Sequence, residues 1–227
     1  MPEQLTFDLP VKAVLGREDF FISKSNSLAV ATLDDTGGWP HARMILCGPQ
    51  GSGKSHLATI WAVENAGQVL NVQGLVGADL PTLASAPFAI EGVESIAGQI
   101  DLEMAVFHLF NLCASSRTPF LMTARAAPSR WAAGLADLAS RLQSMPLVRI
   151  APPDDALLSA VLIKQFNDRQ LAVQPDVIAY ILDRIERSTA SAGSLVDAID
   201  AHALQQKRPV TRHLVREVLD ISNVGEA

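Results

Sequence analysis

The eight residues GPQGSGKS at positions 48–55 constrain this chain more than any other segment. They fit the pattern G-x-x-x-x-G-K-[ST], follow an apolar run at 43–47, and open a helical stretch at 54–65. Glycines in such a loop let backbone amides wrap a phosphate group, and the helix N-terminus adds a partial positive charge. The segment therefore predicts a phosphate-binding loop, with Lys54 on the β- and γ-phosphates of a nucleotide and Ser55 on Mg²⁺.

Apolar runs and helical patterns alternate along the first 150 residues. The runs lie at 43–47, 68–72, 87–91, 120–123 and 147–150. Between the third and the fourth run, apolar residues repeat at helical spacing over 102–113. Strands that alternate with helices form a parallel sheet covered on both faces. We therefore expect an α/β core with a five-stranded parallel sheet.

The pattern changes after Ile150, where only helical segments remain. Asp154 can cap the first of them, Pro175 suits the first position of the second, and Thr211 can cap the fourth. A third helix is expected at about 191–206. The predicted organisation is a flexible tail at 1–10, a nucleotide-binding α/β core at 11–150 and a small all-helical lid at 151–227.

Composition argues against several classes of protein. The formal net charge of −6 is unfavourable for a broad basic face that grips DNA through its phosphates. Cys47 and Cys113 lie in apolar patterns without the spacing of metal ligands, so we interpret them as reduced core residues of a cytoplasmic protein. The N-terminus lacks a signal-peptide pattern and no apolar stretch reaches 18 residues, so we expect neither secretion nor a membrane partner.

The third apolar run ends in Glu91, followed by Gly92. An ATPase of this layout uses one acid here to help hold Mg²⁺ and a second acid to activate water. Glu91 can serve the metal ion together with Ser55, whereas Gly92 offers no side chain. Glu94 lies two residues further on, and spacing alone does not place it in the site. Arg125, after the fourth run, fits a contact to phosphate and a solvated loop position about equally well.

Arg141 lies in the amphipathic stretch LASRL at 138–142, just before the last predicted strand. An arginine there can reach into the nucleotide site of a neighbouring subunit and stabilise charge on a transferring phosphoryl group. From spacing alone, a surface salt bridge is the more common role of such a residue.

Several segments together resemble the DnaA-type initiator ATPases of the AAA+ class, over nearly the whole chain. The matching segments are FFISKSN at 20–26, GPQGSGKSHL at 48–57, EGVESIAG at 91–98, FHLFN at 107–111, DLASRL at 137–142 and PVT at 209–211. The sequence stops at Ala227, where the lid of this family stops. It therefore resembles the short DnaA-related regulators, and we expect no DNA-binding domain.

The resemblance assigns roles to individual residues. The first segment would help hold the base, and the expected nucleotide-binding residues are Phe21, Asn26, Gly48, Gln50, Gly51, Ser52, Gly53, Lys54, Ser55 and His56. Arg141 would be an arginine finger that acts in trans. Ala190 stands where the family has a second sensing arginine, and neither Arg184 nor Arg187 is shown by position to replace it. Together with Gly92, this argues against self-hydrolysis.

The residues QLTFDL at 4–9 resemble a peptide that binds a sliding clamp. Gln4 offers a hydrogen-bonding anchor, and Leu5, Phe7 and Leu9 offer apolar groups for a groove. Without the rest of the resemblance, a disordered tail would be the simpler interpretation.

Three hypotheses follow. In the first, bound ADP or ATP with Mg²⁺ is structural, the tail recruits the protein to the DNA-loaded sliding clamp (the beta subunit of DNA polymerase III), and Arg141 promotes hydrolysis of ATP on the initiator DnaA. Replication initiation is thereby turned off, and DNA is contacted only through the clamp. The sequence leaves open whether the protein forms a homo-oligomer. The second is an autonomous ATPase such as a helicase loader, with Glu94 as its carboxylate. The third is a clamp adaptor with an inert nucleotide site.

Overall fold

The computed structural model describes residues 16–224, and their side chains as far as Ile221. The expected clamp-binding residues Gln4, Leu5, Phe7 and Leu9 lie outside the described residues.

Five parallel strands form one sheet in the order β2-β3-β4-β1-β5. The strands are β1 Arg43–Cys47, β2 Gln68–Asn71, β3 Phe88–Glu91, β4 Phe120–Ala124 and β5 Leu147–Arg149. Each coincides with a predicted apolar run to within one residue at either end. The central strands read as continuous apolar runs because helices cover both of their faces. The predicted five-stranded parallel sheet is confirmed.

Helices surround the sheet and then continue alone. Those in the described part of the chain are α1 Ser27–Asp34, α2 Lys54–Glu64, α3 Leu80–Leu83, α4 Ile100–Ser116, α5 Ala136–Gln143, α6 Asp155–Asp168, α7 Pro175–Leu182, α8 Thr189–Gln206 and α9 Arg212–Val224. Within residues 16–224, none of them is long and apolar enough to cross a membrane.

The two faces of the sheet carry separate apolar layers because successive side chains of a strand point to opposite faces. Ile45 packs with Phe110 in the layer that includes α4 and α5. Leu46 packs with Trp61 in the layer that includes α1 and α2. Cys47 and Cys113 are buried free thiols, and burial raises the pKa of Cys113 to about 11. Both cysteines therefore lie in the core, as expected.

Helices α6 to α9 enclose a third apolar core, which contains Phe166, Ile181 and Leu214. Asp154 accepts the first backbone bond of α6 from Leu157 at 2.8 Å, so the expected cap is present. Its second oxygen accepts from the backbone N–H of Ser25 at 3.3 Å. The predicted helical lid is confirmed, and Asp154 ties its first helix to the segment before α1.

Candidate functional site

The phosphate loop leaves the centre of the sheet. It follows β1, which lies between β4 and β5, and it ends at the N-terminus of α2. Gly51 and Gly53 have φ of +68° and +93°, a left-handed backbone that side-chain-bearing residues rarely adopt. Glycines at these two positions allow the loop to turn its amides toward a common centre.

The lid contacts the loop at Gly51. The carbonyl oxygen of Gly51 accepts from the backbone N–H of Thr189 at 2.8 Å and from its hydroxyl at 2.9 Å. A β-carbon at position 51 would lie only 1.9 Å from Oγ of Ser188. Glycine is therefore required at position 51 for two reasons, the left-handed backbone conformation and the close approach of α8. The loop and the lid are therefore in direct contact at Gly51.

Lys54 lies within this loop. Its Nζ donates to the carbonyl oxygens of Gly48 at 2.8 Å and Pro49 at 2.6 Å. Burial lowers the pKa of Lys54, and Arg125 acts in the same direction, whereas Glu94 and then Glu91 oppose the shift. The ammonium group is thus held by carbonyl oxygens of the loop itself and lies within the electrostatic influence of both carboxylates.

A cleft of about 760 Å³ opens between the loop, the segment before α1 and the lid. This volume is within the usual range of small-molecule sites. The predicted nucleotide-binding residues that line it are Phe21, Asn26, Gly51, Ser52, Gly53, Lys54, Ser55 and His56. Gly48 and Gln50 belong to the same loop but do not line the cleft. The structure therefore brings most of the predicted set together.

The apolar end of the cleft suits a nucleotide base. Phe21 and Ile22 are 46% and 48% exposed, and they face the lid residues Leu157 and Val161 across the cleft. Asn26 has a different role from a direct ligand. Its Nδ2 donates to the carbonyl oxygen of Phe21 at 2.9 Å, and its Oδ1 accepts from a backbone N–H at 2.8 Å. Asn26 therefore shapes the segment that carries Phe21.

Residues of the lid complete the cleft, and no sequence motif marks them. Lys164 lines it and pairs with Asp19 at 3.2 Å and with Asp168 at 3.0 Å. Gln165 and Thr189 also line it. The spacing of polar residues along α6 was the one available signal, and it does not distinguish a face that covers a ligand from one that faces solvent.

Glu91, at the end of β3, and Glu94, in the turn after it, each have one carboxylate oxygen without a hydrogen-bond partner. Oε1 of Glu91 and Oε2 of Glu94 are buried and have no hydrogen-bond partner. Carboxylate oxygens are favoured Mg²⁺ ligands, and Mg²⁺ is usually bound by one or two carboxylates together with phosphate oxygens. The described residues form no cage of three or more His, Cys, Asp or Glu side chains. Ser55 and Glu91 supply a hydroxyl and a carboxylate oxygen, the ligand types that Mg²⁺ takes beside phosphate oxygens.

Gly92 combines a left-handed backbone with open space. Its φ is +72°, and nothing lies within 4 Å of the position that a β-carbon would take. The 3₁₀ turn Val93–Ile96 follows and carries Glu94, whose Oε1 lies 3.8 Å from Nε of Arg125. No second acid follows Glu91 directly, and the side chain of Arg125 is 65% exposed beside Glu94.

The positions around the expected second sensor are also resolved. Ala190 lines the cleft and offers no charge. Arg184 lies over the ring of Tyr180 at 3.8 Å, and Arg187 forms an ion pair with Asp155. Neither arginine lines the cleft, so the lid brings no arginine to it among the described residues.

Arg141 lies outside this cleft, on α5. Its Nη1 donates to Oδ1 of Asn111 at 2.9 Å, and its guanidinium lies 4.7 Å from the ring centroid of Phe107. Among the described residues it forms no ion pair. The surface salt bridge suggested by spacing alone is therefore wrong, because aromatic and amide groups of α4 hold the guanidinium and leave its charge uncompensated.

Glu103 fixes the start of the helix that carries Arg141, a role that no sequence pattern indicates. It is 1% exposed and accepts from the backbone N–H groups of Gly98 at 3.0 Å and of Gly134 and Leu135 at 2.8 Å each. Leu135 is the N-cap of α5 and has no side-chain cap of its own. Burial raises the pKa of Glu103, but the three donors outweigh this and hold the pKa below its usual value.

The fold is that of a replication initiator domain. Domain III of DnaA from Thermotoga maritima superposes with a TM-score of 0.79 at 15% identity, over 93% of this chain and 98% of that one. Residues 155–219 match the family model described as the Hda lid domain. Over residues 155–219 the chain is thus similar to the Hda lid domain, and over most of its length it shares the fold of DnaA domain III.

Two further solved structures share the AAA+ fold at low identity. AMPPCP-bound DnaA from Aquifex aeolicus has a TM-score of 0.68 at 17% identity, over 83% of this chain and 65% of that one. The RuvB branch migration motor of Thermotoga maritima has a TM-score of 0.68 at 18% identity, over 92% and 73%. The chain thus spans about two thirds of the longer DnaA structure that it matches.

Proposed function

We propose that this protein is a negative regulator of replication initiation that promotes hydrolysis of ATP held by a DnaA-type initiator. The observation that carries the proposal is the placement of Arg141. It lies away from the chain's own cleft, it is held by Phe107 and Asn111, and no described carboxylate neutralises it. A charge held in this way is available to a neighbouring molecule.

The chain's own nucleotide would be structural in this proposal. ADP or ATP with Mg²⁺ would occupy the cleft, with phosphates on the loop and Lys54, the metal ion on Ser55 and Glu91, and the base near Phe21. A DnaA relative binds the ATP analogue AMPPCP, which supports this assignment. Because Gly51 contacts Thr189 directly, nucleotide on the loop would set the position of the lid.

Arg141 would supply positive charge to the partner's phosphates. Phosphoryl transfer spreads negative charge over the equatorial oxygens, and an arginine delivered in trans stabilises it by about 10³–10⁵ in rate in other systems. The partner would provide the metal-binding acid and the acid that activates water. Gly92 then has no effect on the joint reaction, because that reaction does not use the chain's own carboxylates.

The sliding clamp remains a proposal from the sequence. Gln4, Leu5, Phe7 and Leu9 would add the tail to a groove on the DNA-loaded clamp, so that DNA is reached only through the clamp. Regulation would then follow the presence of active replication machinery.

The direct test is ATP hydrolysis by the matching initiator, with and without this protein and with and without DNA-loaded clamp. We expect stimulation that requires the clamp and disappears when Gln4 and Leu5 are both changed to alanine. Clamp binding without any stimulation of the initiator would contradict the proposal and leave an adaptor.

A second candidate function is an autonomous ATPase, for example a helicase loader, and Glu94 favours it. One of its carboxylate oxygens is buried without a partner, and Glu94 opposes the lowered pKa of Lys54 more strongly than Glu91 does. Steady turnover by the isolated protein that is abolished by Glu94→Gln would support this candidate. Absence of turnover with nucleotide bound would exclude it.

A further inference from the structure

A second arginine, like Arg141, packs against an aromatic ring of α4. Arg43 begins β1, and its guanidinium lies 5.3 Å from the ring centroid of Phe110. Arg141 lies over Phe107, three residues earlier on α4. Residues three apart are neighbours on a helix surface. The two aromatic rings therefore hold two guanidinium groups next to one another.

The arginine pair has no anion among the described residues. Neither Arg43 nor Arg141 lies within salt-bridge distance of a carboxylate in residues 16–221. Burial and then the charge of Arg141 lower the pKa of Arg43. The nearby thiol of Cys113 is neutral at physiological pH, because its pKa is about 11. Two like charges held together in this way favour the arrival of a negative group.

Space for such a group exists beside Arg43. It lines a cleft of about 850 Å³ at the end of the sheet opposite the phosphate loop, where β1 and β4 begin. The basic side chains along this cleft belong to Arg43, Arg117 and His41, and the lining includes no acid among the residues described. Arg117 is the left-handed residue that ends α4.

We propose that Arg43 is a second cation for the partner's nucleotide and that, together with Arg141, it binds the phosphate groups of the nucleoside triphosphate on the partner. The inference rests on the proposed function and names a residue that the sequence did not indicate. Each guanidinium presents five N–H donors in a planar fork. Two guanidinium groups side by side can donate to more phosphate oxygens than one. Their electrostatic stabilisation is largest when negative charge spreads over those oxygens in the transition state.

The experiment is single-turnover hydrolysis of initiator-bound ATP, measured against the concentration of this protein. We expect Arg43→Gln to lower the rate at saturation by about 10-fold while the half-saturating concentration changes by less than about threefold. Arg43→Lys should restore part of the rate, because it keeps the charge but not the fork. Arg216→Gln, an exposed arginine of α9, is the matched control and should behave as the wild type.

Each outcome separates this inference from the proposed function. If Arg43→Gln keeps the full rate at saturation, or changes only the half-saturating concentration, the proposed role of Arg43 is wrong. The proposed function still stands in that case if Arg141→Ala loses the stimulation of hydrolysis. A full rate in Arg141→Ala would overturn both. If the melting temperature of Arg43→Gln falls, the same measurement is made with Arg43→Met, which keeps apolar packing on Phe110 without the charge. A full rate for Arg43→Met would then overturn the role of Arg43.

Discussion

The cleft at the phosphate loop and the face around Arg141 belong to the same α/β core but are built from different groups. The cleft is shaped by backbone: left-handed glycines, loop carbonyls on Lys54, and a lid that binds Gly51. The face is shaped by side chains, with one aromatic ring and one amide of α4 beneath Arg141. The first is suited to hold a nucleotide but lacks a second acid after Glu91. The second is suited to present charge outward. The contrast supports the proposal that nucleotide binding and catalysis are divided between two proteins.

The largest expected effect comes from Arg141→Ala. We expect it to remove stimulation of initiator hydrolysis, a loss of about 10³-fold or more where the stimulation is that large. The affinity of the chain's own cleft for ADP should stay within twofold, because Arg141 does not line it. Nucleotide titration and single-turnover hydrolysis measure the two properties. A parallel loss of nucleotide affinity would show that the cleft and the Arg141 face are not independent.

Lys54→Ala should have the converse effect. A hydrogen bond to a charged group contributes about 1.5–3 kcal/mol, so nucleotide affinity should fall roughly 10- to 100-fold. Equilibrium binding of a fluorescent ADP analogue measures this change, with Lys207→Ala, exposed at the end of α8 and outside the cleft, as the control. Unchanged affinity would show that the cleft is not the nucleotide site. Full stimulation by Lys54→Ala protein would show that bound nucleotide is unnecessary for the Arg141 face.

Glu103→Ala should lower the free energy of unfolding by on the order of 3 kcal/mol, since three backbone donors lose their buried acceptor. Urea unfolding at pH 7 measures it, and Glu64→Ala on the exposed side of α2 should have little effect. A loss no larger than that of Glu64→Ala would show that Glu103 does not fix the start of α5.

Glu103→Gln tests the sign of the pH dependence. The folded-state pKa of Glu103 is held below its unfolded value, so its stabilisation is present above the unfolded pKa and is lost as the pH falls through the folded one. The stability difference between wild type and Glu103→Gln should therefore shrink as the pH falls below about 4.5. A difference that grows toward acid would contradict the account.

The smallest expected effect is that of Thr189→Val. It removes one of two hydrogen bonds to the carbonyl oxygen of Gly51 and leaves the backbone bond in place. Nucleotide affinity should fall only several-fold, in line with about 1 kcal/mol for one hydrogen bond. Thr32→Val is the control, because its hydroxyl bonds to Leu28 within α1. If Thr189→Val changed the stimulation of initiator hydrolysis but not nucleotide affinity, the lid would act on the initiator by a route other than nucleotide binding.

Local patterns predicted the fold and the phosphate loop well, for physical reasons. Buried parallel strands must be continuous apolar runs, and a phosphate loop must place glycines at particular backbone angles, so both leave a signal in the sequence. The role of Glu103 left none, because a glutamate in an amphipathic helix normally faces solvent. Its burial depends on backbone donors 31 and 32 residues away.

The same limit applies to Arg141 and to the lid side of the cleft. The position of Arg141 was recognisable, but its contacts with Phe107 and Asn111 depend on how α5 packs on α4. Lys164 and Thr189 reach the cleft only because of the way the lid lies on the core. Spacing along a single helix carries no information on either packing.

The central claim is that the ATP hydrolysed is the partner's and not the chain's own. The most direct measurement loads labelled ATP on the initiator and unlabelled ADP on this protein, then repeats the reaction with the label on this protein instead. We predict rapid conversion of the label only when it starts on the initiator, and none of that stimulation with Arg141→Ala. Rapid conversion of label held by this protein, with the initiator's ATP intact, would contradict the account.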